Sequence, residues 1–317
     1  MTKAVAFDFA RKSVETLGTD DLGAAVAGER YCWIDFDNID TAVDILPKLG
    51  VDAESVARIA LDQQPCQARH GGDCVHCVVI EAETVDGNVR LNALHVILAK
   101  TFIATVHGRR SPLIESVRET YERDFHETAE SGGFLLYEIA DHLIIGYREA
   151  LATLTASVDR IQRRLLGDVG DEILMDVSRL TRALLEYRNA VVSARETIDE
   201  LATRRSPFVQ ASTQPFLDRQ TVPLDRLAHD AATERTVLSE VLNLYMGIVS
   251  HRTNKVVTRL TVVSMIVLPL NFLAAVFGMN FEAMPELSWR YGYAGFWVVS
   301  LVLVATLLVL FRRQRWI

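Results

Sequence analysis

The chain has 317 residues, room for one or two domains, and carries 33 Lys+Arg against 41 Asp+Glu for a net charge of −8. That balance argues against a nucleic-acid partner and mildly favours collecting cations, though surface acids also serve plain solubility. Half of the residues are hydrophobic and mean hydropathy is +0.16, with the apolar excess concentrated from Leu260 onward while residues 1–255 read as an ordinary soluble sequence.

The first 17 residues lack a continuous apolar core and contain Asp8, Arg11 and Lys12, so they do not read as a signal peptide. Tyr31 to Phe36 reads as a strand, and Asp40 to Leu49 and Asp52 to Leu61 as short helices, each opened by an Asp able to cap it. Val75 to Thr84, Val89 to Leu98 and Thr101 to His107 read as three strands rich in Val and Ile, the first two joined by a hairpin turn at Asp86-Gly-Asn.

After Ser111-Pro112 the pattern turns helical. Leu113 to Phe125 is one helix, broken at Gly132-Gly133. Phe134 to Leu166 repeats apolar residues at three- and four-residue spacing (Leu136, Ile139, Leu143, Tyr147, Leu151, Leu154), and with Glu172 to Arg204 it predicts an antiparallel helical hairpin. A third helix begins near Pro215 and meets no strong stop before Gly278, with Pro223 and Pro269 as candidate kinks. Those roughly 60 residues would run about 90 Å at 1.5 Å per residue.

Leu260 to Phe277 and Ala294 to Phe311 are each 18 residues without a charge, near the lower limit for crossing a bilayer. Arg252, Lys255 and Arg259 precede the first, and Arg312, Arg313 and Arg315 follow the second, whereas the connecting loop holds Glu282, Glu286 and a single Arg290. The positive-inside rule therefore places both termini in the cytosol, in a cell or inner membrane, with the loop outside. Trp289, Tyr291, Tyr293, Phe296 and Trp297 form an interfacial aromatic belt where the loop re-enters.

Along the helix that carries the first span Asn254, Val257, Thr261, Ser264, Leu268, Asn271 and Ala275 follow three/four spacing and so form one stripe, many of its members small or polar. Polar side chains at membrane depth face protein or water rather than lipid, so the stripe lines either a pore or a helix–helix interface. One span cannot enclose a pore, so a channel would need several copies around an axis, with the second span as the outer ring. Amides and hydroxyls without carboxylates suit magnesium, which gives up its water reluctantly, because they bond to the hydration shell without trapping the ion.

Gly278-Met279-Asn280 stands at the end of this span, followed by Phe281-Glu282-Ala283-Met284-Pro285-Glu286-Leu287. The segment resembles the signature of the CorA magnesium/cobalt transporters, and the likeness extends from Tyr245 to Ile317. The resemblance implies an α/β cytosolic domain (1–110), a helical hairpin region (111–213), a stalk helix (214–259), a pore-lining first transmembrane helix (260–279), an external loop (280–293), a second transmembrane helix (294–311) and a basic cytosolic tail (312–317). It further implies a homopentameric, passive divalent-cation channel, not an enzyme and without a cofactor, with magnesium as substrate and regulatory ligand. By the same likeness Gly278, Met279 and Asn280 form the selectivity filter and Glu282 and Glu286 the external mouth. Asn254, Val257, Ser264, Leu268, Asn271 and Ala275 line the pore below, with Leu268 its apolar constriction. Asn271 stands where the family often has a hydroxyl residue, and no Arg-Pro stretch precedes the second group of strands.

Cys66, His70, Cys74 and Cys77 give a C-x3-H-x3-C-x2-C spacing that reads either as a thiolate/imidazole metal site or as free thiols in a Gly-rich loop. If it is a metal site, it shifts the substrate toward zinc, cobalt or nickel. Three functions compete: passive magnesium transport, zinc transport with proton coupling, and a membrane-anchored scaffold whose spans are only anchors.

Overall fold

The computed structural model describes residues 2–18, 21–28, 30–61, 68–127, 129, 131–165, 167, 172–203, 208–279 and 289–314. The chain divides into two compact units, residues 1–241 and 242–317.

In the first unit seven strands form one sheet. They are β1 (Lys3–Asp8), β2 (Ser13–Leu17), β3 (Tyr31–Phe36), β4 (Ala68–Gly71), β5 (Cys74–Val85), β6 (Asn88–Ala99) and β7 (Phe102–Val106), in the order β2-β1-β3-β7-β6-β5-β4. Every neighbouring pair is antiparallel except β3 with β7. The β5–β6 turn places Asp86 and Gly87 at φ 51° and 74°, the pair of positive angles that a two-residue hairpin matched to strand twist requires.

Strand alternation assigns the two faces. Cys32, Ile34 and Phe36 join Phe102, Ala104, Val106, Ile97 and Ala99 in a core under α1 (Leu22–Val26), α2 (Ile39–Ile45) and α3 (Ala53–Ala60). Asn38 caps α2 through the Thr41 N–H, and Asp52 caps α3 through the N–H groups of Glu54 and Ser55. The opposite face carries α4 (Pro112–Glu127), α5 (Gly133–Leu165) and α6 (Glu172–Thr203). Tyr147 Oη donates to Ile80 O at 2.5 Å and Tyr187 Oη donates to Tyr147 O at 2.9 Å, tying β5, α5 and α6 into one buried contact. Tyr147 meets Tyr187, and Arg164 meets Glu172 and Asp176, so α5 and α6 run antiparallel.

The sequence reading missed β1, β2, α1 and β4. Each is short, and β1 owes its place to pairing with β3 and β2 to pairing with β1, contacts no local pattern announces. α7 (Gln214–Phe277) is one unbroken helix of 64 residues through Pro223 and Pro269, so neither proline ends it. α8 (Gly292–Arg313) follows.

Candidate functional site

α7 and α8 are each long and apolar enough to cross a membrane. They hold each other through one side of α7: Val262 is buried, and Ile266, Leu270, Leu273 and Phe277 are half-buried at three- and four-residue spacing. Phe277 meets Phe296 edge-to-face with ring centroids 5.4 Å apart. At 3.6 residues per turn, the stripe Asn254, Val257, Thr261, Ser264, Leu268, Asn271 and Ala275 lies roughly half a turn away from that contact. All seven are exposed or half-exposed in the single chain, Leu268 at 71%. The Thr261 hydroxyl is satisfied inside the helix, donating to Val257 O at 2.8 Å. The Asn254 and Asn271 amides have no partner among the described residues, so their donors and acceptors are free for whatever faces this stripe.

α7 ends at the tripeptide. Gly278 N–H reaches Ala274 O at 3.0 Å and Ala275 O at 3.1 Å, and Met279 N–H reaches Val276 O at 3.3 Å. These bonds engage three of the last four carbonyls of the helix, those of Ala274, Ala275 and Val276. Met279 is 44% exposed. Asn280, Glu282 and Glu286 lie outside the described residues. Beyond them Trp289, Tyr291, Tyr293 and Trp297 are exposed around the start of α8, an aromatic girdle beside apolar turns.

The expected Cys/His metal site is corrected. Cys66 lies outside the described residues, and the other three ligands are parted by strand alternation. Cys74 pairs with Gly71 and turns toward Asp52, its Sγ 3.7 Å from Oδ2. Cys77 and His70 point to the other face, where both meet the charge of Glu200 on α6. No group of three or more His, Cys, Asp or Glu side chains placed to hold a metal occurs among the described residues. Burial pushes the Cys74 and Cys77 thiols up, away from the thiolate a metal needs.

Two polar constellations went unseen in the sequence. His76 and His95 are both buried, with Nε2 of the first 3.1 Å from Nδ1 of the second, and burial plus the His95 charge depress His76 to about 4. Asp35, also buried, accepts from Thr105 Oγ1 at 2.7 Å, His107 Nε2 at 3.2 Å and Arg118 at 2.7 Å. These partners hold its carboxyl below the usual range although burial opposes them, and Asp35 in turn raises His107. The signal available was a charge in the middle of an apolar strand, Tyr31-Cys-Trp-Ile-Asp-Phe.

The profile of the CorA-like Mg2+ transporter proteins matches residues 28–313. This chain belongs to the CorA family. The cobalt/magnesium transport protein CorA of Thermotoga maritima is 28% identical over 245 residues, covering 76% of this chain and 70% of that protein. The protein of the same name from Methanocaldococcus jannaschii is 22% identical over 302 residues, covering 91% and 92%. The solved complete structure of the M. jannaschii CorA magnesium transporter superposes with a TM-score of 0.87 over 100% of this chain and 99% of that one, at 20% identity. The ZntB cytoplasmic domain of Vibrio parahaemolyticus shares the fold of the first unit, with a TM-score of 0.61 at 14% identity over 80% of this chain and 97% of that domain. The expected fold class is therefore the observed one: an α/β N-terminal region, a long helix and two C-terminal apolar helices. CorA proteins are membrane transporters and not enzymes, which also removes the scaffold reading.

Proposed function

We propose that this chain is one subunit of a homopentameric, passive divalent-cation channel with magnesium as its principal substrate. The observation that carries the reading is the side of α7 turned away from α8. It presents Asn254, Ser264, Leu268 and Asn271 outward from the chain and leads to Gly278-Met279-Asn280. The Asn271 amide exposed at membrane depth is costly against lipid, and copies of α7 around an axis would give it water and a hydrated ion instead. In that arrangement an Asn280 ring meets the hydrated ion, Glu282 and Glu286 concentrate cations at the external mouth, and Leu268 forms the apolar step. Both termini stand in the cytosol, as the basic flanks require. The membrane potential suffices as driving force, about 4.6 kcal/mol for a divalent ion per 100 mV. Magnesium serves also as regulatory ligand, on residues no motif in this chain identifies.

The zinc-directed alternative drew on the Cys/His spacing. The opposite-facing side chains of Cys74 and Cys77 remove that support.

Flux into proteoliposomes at an imposed inside-negative potential decides between them. Magnesium entry that rises with potential and needs no proton gradient is expected. Zinc entry dependent on a proton gradient, with little magnesium entry, overturns the reading.

A further inference from the structure

A cavity of about 520 Å³ opens at the head of α5, entirely within the first unit and far in sequence from the pore stripe. Ser131 and Thr213 form its inner wall, each 7% exposed, and Ser212 stands at its rim. Neither inner hydroxyl has a hydrogen-bond partner among the described residues. The two residues are largely buried while their hydroxyls stay open to the cavity, within reach of a ligand's polar atoms. α5 starts at Gly133 on this wall, so the positive end of a 33-residue helix points to the same space.

The other walls are aromatic. Phe134, Tyr137 and Phe216 line the cavity, with Tyr137 and Phe216 edge-to-face at 6.0 Å. The Arg219 guanidinium sits 5.7 Å from the centroid of Phe216, close enough for its charge to act on the Tyr137 phenol. Arg219 has no carboxylate partner among the described residues. The acids nearby are engaged: Asp141 accepts from Gln220 at 3.2 Å, and Glu138 is raised to about 7 by burial and by the Asp124 carboxylate.

We propose that this cavity binds a phosphate monoester carried on a planar aromatic body. The phosphate would take the Ser131 and Thr213 hydroxyls, the α5 terminus and Arg219, and the body would stack among Phe134, Tyr137 and Phe216. The volume suits a ligand of nucleotide size.

The test is calorimetric titration of the full chain in detergent at constant magnesium, with three probes: adenosine monophosphate, inorganic phosphate and adenosine. The monophosphate should bind at least about tenfold tighter than either fragment, a difference of about 1.4 kcal/mol. Arg219→Ala and Ser131→Ala should each weaken it by about tenfold or more, and Ser212→Trp at the exposed rim should block it, all with unchanged melting temperature. Affinity that none of the three variants alters, or no heat up to millimolar monophosphate, overturns the site. Inorganic phosphate binding as tightly as the monophosphate overturns the role of the aromatic walls.

Discussion

Arg118 reaches Asp35 across 83 positions of sequence, donating to Oδ2 at 2.7 Å, and lies 4.7 Å over the Trp33 ring on the same strand. One side chain thereby fixes α4 to β3 by an ion pair and a cation–π contact. Thr105 and His107 both donate to Oδ1, so the buried charge has three donors spread over its two oxygens.

Arg118→Met should therefore destabilise the first unit by about 3 kcal/mol, because it leaves Asp35 buried with only His107 as a charged partner. Denaturant unfolding followed by tryptophan fluorescence reads this directly, since Trp33 lies in the affected contact. A loss under about 0.5 kcal/mol would mean that the pair behaves as a surface ion pair.

Tyr147→Phe removes the bond to Ile80 O and the longer one, at 3.3 Å, to Ala190 O. Two buried carbonyls lose a donor while the ring packing stays, so a cost of about 1–2 kcal/mol is expected. Tyr187→Phe should behave alike, and the double variant should be non-additive because the two rings are in direct edge-to-face contact, centroids 5.8 Å apart.

His76 is expected to make the fold acid-sensitive. Its folded value of about 4 lies below the ordinary 6.5, so the unfolded chain binds more protons between those values. The stability is fully present above about 6.5 and is lost as the pH falls through about 4. His76→Phe should flatten that part of a stability–pH curve. A curve unchanged from the parent protein contradicts the assignment.

Glu138 acts with the opposite sign. Its folded value is raised to about 7 by burial and by Asp124 and Asp141, against Arg123, so the folded chain holds the extra proton. His142 also faces it, with Nδ1 3.8 Å from Glu138 Oε2. Stability from this group is greatest below the unfolded value and declines as the pH rises through about 7. Glu138→Gln should be more stable than the parent at pH ~8 and nearly equal to it in mild acid. Equal stability at both would show that the carboxyl is already ionised in the fold.

For the pore, Leu268→Gly should raise magnesium flux under conditions that close the parent channel, and Asn271→Leu should cut open-state flux by about tenfold or more by withdrawing the amide from the hydrated ion. Asn280→Ala should abolish selectivity. Normal closed-state flux in Leu268→Gly removes that residue as a gate, and unchanged flux in Asn280→Ala removes the Asn ring.

What could be read from the sequence was what repeats locally. The two uncharged spans, the 3.6-residue periodicity of α5 and α6, the Asp86-Gly87 turn and the Gly-Met-Asn tripeptide are all contiguous in the chain. The stripe on α7 was legible for the same reason, because helical geometry converts spacing into a face without reference to any neighbour. The Cys66, His70, Cys74, Cys77 spacing misled because a ligand pattern along the chain carries no strand register. In β5 a separation of three residues sends Cys74 and Cys77 to opposite faces.

The sequence by itself determined the long helices, the spans and the family, since these depend on contiguous patterns of apolar and small polar residues. Only the tertiary structure decided the strand order, the pairing of β1 with β3, the convergence of Asp35, His107 and Arg118, and the meeting of Ser131 with Thr213 beside Gly133. Each of those joins residues distant along the chain, and the energy that selects such contacts is the burial of many side chains together, which no single segment encodes.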